Sequence, residues 1–211
     1  VFALDRAGIV GEDGETHQGA FDLSYMSHIP NMTVMAPADY YELRQMLDYA
    51  VNQHKGPIAL RYPRGRGKDN LGVEIPLEPG KSAVVREGRN VCVLAAGSMV
   101  ETALQAADIL ERYGISTKVV SARFIKPIDE ELLIKVSREF NFIITIEENY
   151  VSGGYGSKVL GFYNSRGINK NISILGLPDE FIPHGSRAEL LKKFGLGAEE
   201  IAEYIRKKVE L

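Results

Sequence analysis

Val1-Phe2-Ala3-Leu4, followed by Asp5-Arg6-Ala7-Gly8-Ile9-Val10-Gly11-Glu12-Asp13-Gly14-Glu15-Thr16-His17-Gln18-Gly19, opens the chain and decides its reading. Four apolar residues in a row predict a short buried strand. The polar, glycine-rich run behind them brings Arg6, Asp13 and His17 close together. In open α/β sheets ligands bind outside the carboxyl ends of strands, so a site is expected here.

Strand and helix signals alternate onward from this stretch. Residues 32–35 and 58–62 read as two more strands of a first unit, residues 1–65. Asp39 and Glu42 have capping-box spacing and predict a helix start. Leu43, Met46, Leu47, Ala50 and Val51 follow the i, i+3, i+4, i+7, i+8 pattern of one buried face, and Gly56-Pro57 ends the helix. Residues 66–82, rich in Gly, Pro and charge, read as a linker. A second unit, 83–211, carries strand signals at 91–95, 117–120, 142–146 and 172–175. Val100, Ala103, Leu104, Ala107 and Leu110 form a helical stripe that closes near Gly114. Further helices are expected after Asp129, after Gly153-Gly154 and at the Ser186/Glu189 box. Ile201, Tyr204, Ile205 and Val209 mark the last one. This alternation predicts an α/β fold with a mainly parallel sheet covered by helices.

Composition narrows the function. Twenty-five Lys and Arg stand against 28 Asp and Glu in 211 residues, a net charge of −3. Nothing in that balance marks a nucleic-acid or membrane surface. The lone Cys92 lies in an apolar run and reads as an inert core thiol, which fits a cytoplasmic protein. No apolar stretch approaches the roughly 20 residues of a membrane span. His28, His54 and His184 lack metal-ligand spacing, and no metal site is expected. Glu147 and Glu148, adjacent on a strand, point to opposite faces and read as structural. Gly153-Gly154-Tyr155-Gly156 reads as glycines for close strand–helix packing, with an anion nest as the alternative.

Asp5-Arg6-Ala7-Gly8-Ile9-Val10-Gly11, Asp13-Gly14 and Thr16-His17-Gln18-Gly19-Ala20-Phe21-Asp22-Leu23-Ser24-Tyr25 resemble the 1-deoxy-D-xylulose-5-phosphate synthases, thiamine-diphosphate enzymes. The likeness runs on through Arg61-Tyr62-Pro63-Arg64-Gly65, Glu147-Glu148-Asn149, Gly153-Gly154-Tyr155-Gly156-Ser157 and Gly176-Leu177-Pro178-Asp179. It thus covers nearly the whole chain. The resemblance implies part of a thiamine-pyrimidine-binding domain followed by a transketolase C-terminal-type domain. Three strands with one helix cannot cover a parallel sheet on both faces. The chain is therefore expected to be the C-terminal part of a longer enzyme.

The resemblance also implies a reaction: pyruvate and glyceraldehyde 3-phosphate condense to 1-deoxy-D-xylulose 5-phosphate with loss of carbon dioxide, opening the non-mevalonate isoprenoid route. It implies thiamine diphosphate and Mg²⁺ as cofactors, and a homodimer. Arg6 and Arg64 match the arginines that hold the aldehyde's phosphate. A guanidinium fork suits that anion at any ordinary pH. His17 and Asp13 match groups beside the reacting intermediate, His17 to move a proton and Asp13 to orient the acceptor's hydroxyls. The family's activating glutamate, aromatic platform and Gly-Asp-Gly…Asn metal motif find no match. These groups are expected upstream, so the 211 residues alone are expected to bind cofactor feebly and to be inactive. Two alternatives stand beside this reading: transketolase-type two-carbon transfer between sugar phosphates, and a non-catalytic dimerisation module.

Overall fold

Each apolar run forms a strand in the computed structural model, which describes residues 1–209. The last two residues of the expected second unit, 210 and 211, lie outside the described residues. The first elements are β1 (Phe2–Leu4), α1 (Asp22–His28), β2 (Thr33–Met35), α2 (Tyr40–Asp48) and β3 (Ile58–Arg61). After a long irregular stretch come β4 (Ala83–Arg86), β5 (Val91–Ala95), α3 (Met99–Glu111), β6 (Thr117–Ser121) and β7 (Phe124–Lys126). The chain ends with α4 (Glu130–Glu139), β8 (Phe142–Tyr150), α5 (Tyr155–Ser165), β9 (Asn171–Leu177), α6 (Arg187–Lys193) and α7 (Ala198–Val209).

Two sheets result. The first has the order β1-β3-β2-β7, with β1 and β2 parallel to β3 and β7 antiparallel to β2. The second has the order β4-β6-β5-β8-β9 and is parallel except for the edge strand β4. Side chains alternate along its strands: Val93 and Ile144 pack with Val100, Ala107, Ile201 and Ile205 of α3 and α7. Leu94 and Ile143 face the other way, toward Leu133, Val136, Val159 and Phe162 of α4 and α5. Cys92 is fully buried, and burial pushes its thiol up to about 12. No helix among the described residues is long and apolar enough to cross a membrane.

The sequence reading needs three corrections. The first sheet has four strands and two helices, because α1 adds to it and β7 reaches it from beyond β4. The strand expected at 142–146 runs on to Tyr150, so Glu147 and Glu148 lie within β8. On α2 the buried face is narrower than the apolar stripe. Met46 and Ala50 enter the core with Met35, Ile58, Leu60 and Phe124, whereas Leu47 and Val51 are exposed. A single row of this helix meets the sheet, and its end widens into a π-type turn, Tyr49–Gln53.

The two sheets are locked together where β2 and β6 end. Asp39 caps α2 by accepting the Glu42 N–H at 2.8 Å. The Glu42 side chain then accepts from the Ala38 N–H at 2.8 Å and from Arg123 Nε at 2.7 Å. Arg123, buried just beyond β6, also donates to the Ile75 and Pro76 carbonyls. The stretch between the sheets is fastened to α2 as well: the N–H groups of Leu71 and Leu77 donate to Asp39 and Gln45. A buried ion pair costs most when one partner is removed, because the other stays desolvated and uncompensated. Glu42→Ala is therefore expected to lower unfolding free energy by about 3–5 kcal/mol, measured by urea denaturation against the parent chain.

Candidate functional site

Strands β1 and β3 are adjacent and parallel, so their carboxyl ends lie side by side. Arg6 follows the first and Arg64 the second. Arg6 sits in the left-handed region at φ 56°, which turns the chain sharply out of β1. Behind it, residues 8–19 form a loop closed by reciprocal bonds between Gly8 and Gly19, both 2.9 Å. A side chain at Gly19 would run into the Arg6 carbonyl. The loop tip carries Asp13 back to both arginines: Arg6 Nε lies 3.4 Å from one carboxylate oxygen, and Arg64 Nη1 donates to the other. The Arg64 hydrogen bond is the main reason the Asp13 carboxyl stays below its usual range, with Arg6 helping and desolvation opposing. Arg6 also pairs with Asp5 at 2.7 Å.

Three of the four residues singled out by the sequence thus meet at one point. His17 does not join them. Its exposed ring is bonded through Nδ1 to the Thr16 hydroxyl at 2.9 Å, one turn along the same loop. Arg64 also borders a cleft of about 340 Å³ between the two sheets, together with Tyr40, Tyr62, Arg66, Thr102 and Arg187.

Sequence reasoning passed over the buried charges behind this cluster. Arg61, at the end of β3 and 4 % exposed, donates to the Gly19 carbonyl at 3.0 Å and to the Glu148 carbonyl at 2.7 Å. Its Nε lies 3.6 Å from the Asp22 carboxylate. Burial raises Asp22 despite Arg61, and burial lowers Arg61 itself. An arginine closing the apolar run Ile58-Ala59-Leu60 is the signal that could have found it. Glu147 and Glu148 do point to opposite faces, each to a separate task. Glu147 accepts from the Tyr155 and Gly156 N–H groups, 2.7 and 2.9 Å, at the start of α5. The glycine-rich turn is therefore a nest whose anion is the protein's own carboxylate. A side chain at Gly154 would strike it. Glu148 faces the first sheet's loop, where the Ile9 N–H donates to it, and Arg187 at the start of α6 binds the same carboxylate.

Thiamine diphosphate enzymes hold their diphosphate through a divalent metal, which needs a hard oxygen donor set. Among the described residues, no three His, Cys, Asp or Glu side chains come together as metal ligands. The α5 nest, a candidate for the anionic end, is filled by Glu147. The described residues thus offer no cluster of three such side chains for the metal, and the nest at the start of α5 already holds a carboxylate.

The family model described as transketolase, C-terminal domain, matches residues 80–201, and that described as transketolase, pyrimidine binding domain, matches residues 1–68. The chain belongs to the transketolase family. Among curated relatives, the 1-deoxy-D-xylulose-5-phosphate synthase of Heliobacterium modesticaldum is 46% identical over 208 residues, covering 98% of this chain and 32% of its own length. The enzyme of the same name from Vibrio vulnificus is 48% identical over 211 residues, with 98% and 32% covered. The chain spans about a third of the length of these relatives. A solved split-gene transketolase, described as an inactive β4 tetramer, superposes with a TM-score of 0.88 at 33% identity, covering 99% of this chain and 66% of that one. A transketolase variant from Pichia stipitis complexed with fructose 6-phosphate gives 0.77 at 25% identity, covering 98% and 29%.

Glu147 supplies a pH signature. Burial pushes its carboxyl up to about 7, against the pull of the two α5 N–H groups and of Arg61. A carboxyl raised in the folded state favours folding most below its unfolded value, and that contribution fades as pH rises through the folded value. Stability of the parent chain is expected to fall between about pH 4.5 and 7 relative to Glu147→Gln. Thermal denaturation across that range checks it; parallel curves for the two proteins would count against the raised value.

Proposed function

We propose that this chain supplies the acceptor-holding side of a synthase that joins pyruvate to glyceraldehyde 3-phosphate, giving 1-deoxy-D-xylulose 5-phosphate and carbon dioxide. One observation carries the reading: two arginines on neighbouring strand ends converge on a single carboxylate. Asp13 stands where an incoming anion would be bound. A phosphate dianion offers three acceptor oxygens to the same two forks and competes for them. Freed from the arginines, Asp13 remains ionised and accepts hydrogen bonds from the acceptor's hydroxyl groups, which fixes the aldehyde carbon for attack. His17, exposed on the same loop, delivers the proton that the aldehyde oxygen takes up as the new carbon–carbon bond forms.

When bound, thiamine diphosphate supplies the nucleophilic carbon. It and Mg²⁺ are assigned to residues other than these 211, which alone are proposed to bind it feebly. Residues 1–65 then form part of the pyrimidine-binding domain, 66–82 a connection fastened to α2, and 83–211 the C-terminal domain. The working enzyme is proposed as a cytoplasmic homodimer. Relatives named for this synthase at 44–48% identity, against 33% for the split-gene transketolase, support it over two-carbon transfer between sugar phosphates. Carbon dioxide release from pyruvate that depends on the aldehyde separates the two reactions.

In the enzyme that carries this chain, Arg6→Ala and Arg64→Ala are expected to raise KM for glyceraldehyde 3-phosphate about tenfold or more, leaving KM for pyruvate nearly unchanged. Equal effects on both substrates would remove the phosphate assignment. His17→Ala is expected to lower kcat by about 10²-fold or more, and unchanged turnover would take the residue out of the reaction.

A further inference from the structure

The second sheet lies beside the Arg6–Asp13–Arg64 cluster and contributes none of those three residues, yet it grips the loop that carries Asp13. The grip is Glu148, 1 % exposed. One carboxylate oxygen accepts the Ile9 N–H at 2.7 Å and Arg187 Nε at 3.0 Å. The other accepts Arg187 Nη2 at 2.5 Å and the Ser98 hydroxyl at 3.2 Å. These donors come from three places: the loop from the first sheet, the start of α3 and the start of α6. Only a carboxylate accepts at both oxygens so fully, and the Arg187 guanidinium balances its buried charge.

The site of the grip follows from topology. The chain leaves β5 toward β6 on one side and later returns to place β8 on the other. Such a reversal leaves a crevice at the carboxyl ends of the two middle strands, where α/β proteins bind ligands. Here Ser98 lies beyond the end of β5 and Glu148 near the end of β8, and the crevice is filled by the first sheet's own loop. Gly8 makes the close approach possible: a Cβ there would meet the Glu148 carboxyl. A second tie runs from the Gly185 N–H, just before α6, to the Gly11 carbonyl at 3.2 Å. The loop backbone is thus held at residue 9 by the second sheet, at residue 11 by the turn before α6 and at residue 19 by Arg61. Asp13 projects from the segment between these anchors.

We infer that Glu148 and Arg187 are positioning residues: the second sheet clamps the 8–19 loop through Ile9 so that Asp13 stands at the two arginines. This rests on the acceptor-holding role proposed above. Among the described residues, neither is hydrogen-bonded or ion-paired to Arg6, Asp13 or Arg64, although Arg187 and Arg64 line the same cleft, so the effect is assigned to the loop backbone.

Backbone hydrogen exchange of this chain, read with the kinetics of the enzyme that carries it, tests the clamp. Glu148→Gln keeps an acceptor oxygen but sets an amide against Arg187. The Ile9 and Gly19 amides are expected to exchange about tenfold or more faster, with those of β5 and α3 unchanged. In the enzyme, KM for glyceraldehyde 3-phosphate should rise several-fold more than KM for pyruvate. Arg187→Lys, which keeps the charge and loses the fork, should give a smaller shift in the same direction and guards against misfolding of the first variant. Loop amides that exchange as in the parent chain in both variants overturn the inference. Faster loop exchange with an unchanged aldehyde KM upholds the clamp and overturns the acceptor role on which it was placed.

Discussion

A guanidinium almost sealed from water joins the two sheets. Arg61 closes β3, and its charge must be met inside the protein because desolvation of an unpaired cation is costly. It is met by the carbonyls of Gly19 and Glu148 and by the nearby Asp22 carboxylate. Two of these partners belong to the first unit and one to the second. Satisfying Arg61 therefore requires the loop to be closed and β8 to be docked at once. The exposed arginines in front of it, Arg6 and Arg64, take their spacing from the pairing of β1 with β3. The pattern is one of buried charges behind and exposed charges before, as the proposed exchange of Asp13 for a phosphate would need.

Both layers depend on glycine at particular points. Gly8, at φ 77°, lets the backbone come against Glu148, and Gly19 lets it pass beneath the Arg6 carbonyl. The same economy of space holds at α5, where Gly154 leaves room for Glu147 to cap the helix. In each case a side chain is given up so that a carboxylate or carbonyl can bond to backbone.

Much of the fold was legible because its signals are local. The run at 91–95 is apolar throughout, as a strand buried on both faces must be, and Ser186 with Glu189 forms the capping box that its spacing implies. β7 was not legible: three residues, Phe124–Lys126, owe their strand to pairing with distant β2. The exposure of Leu47 and Val51 was equally hidden, since periodicity reports an apolar face and not how much of it a neighbour covers. At the site, Arg6, Asp13 and Arg64 were legible through motif and strand ends. Glu148 and Arg187 lie 39 residues apart, and their pairing is a fact of tertiary structure alone.

The reach of β7 across to β2 bears on how this protein is handled. Chain beyond β4 supplies the last strand of the first sheet. A piece ending within the stretch after β3 would bare the edge of β2, a buried apolar strand with its N–H and C=O groups unpaired. Such an edge is a template for adding foreign strands. Dividing this polypeptide at its most linker-like segment would therefore yield a first half prone to self-association, and a cut that respects sheet pairing would have to carry residues 124–126 with it.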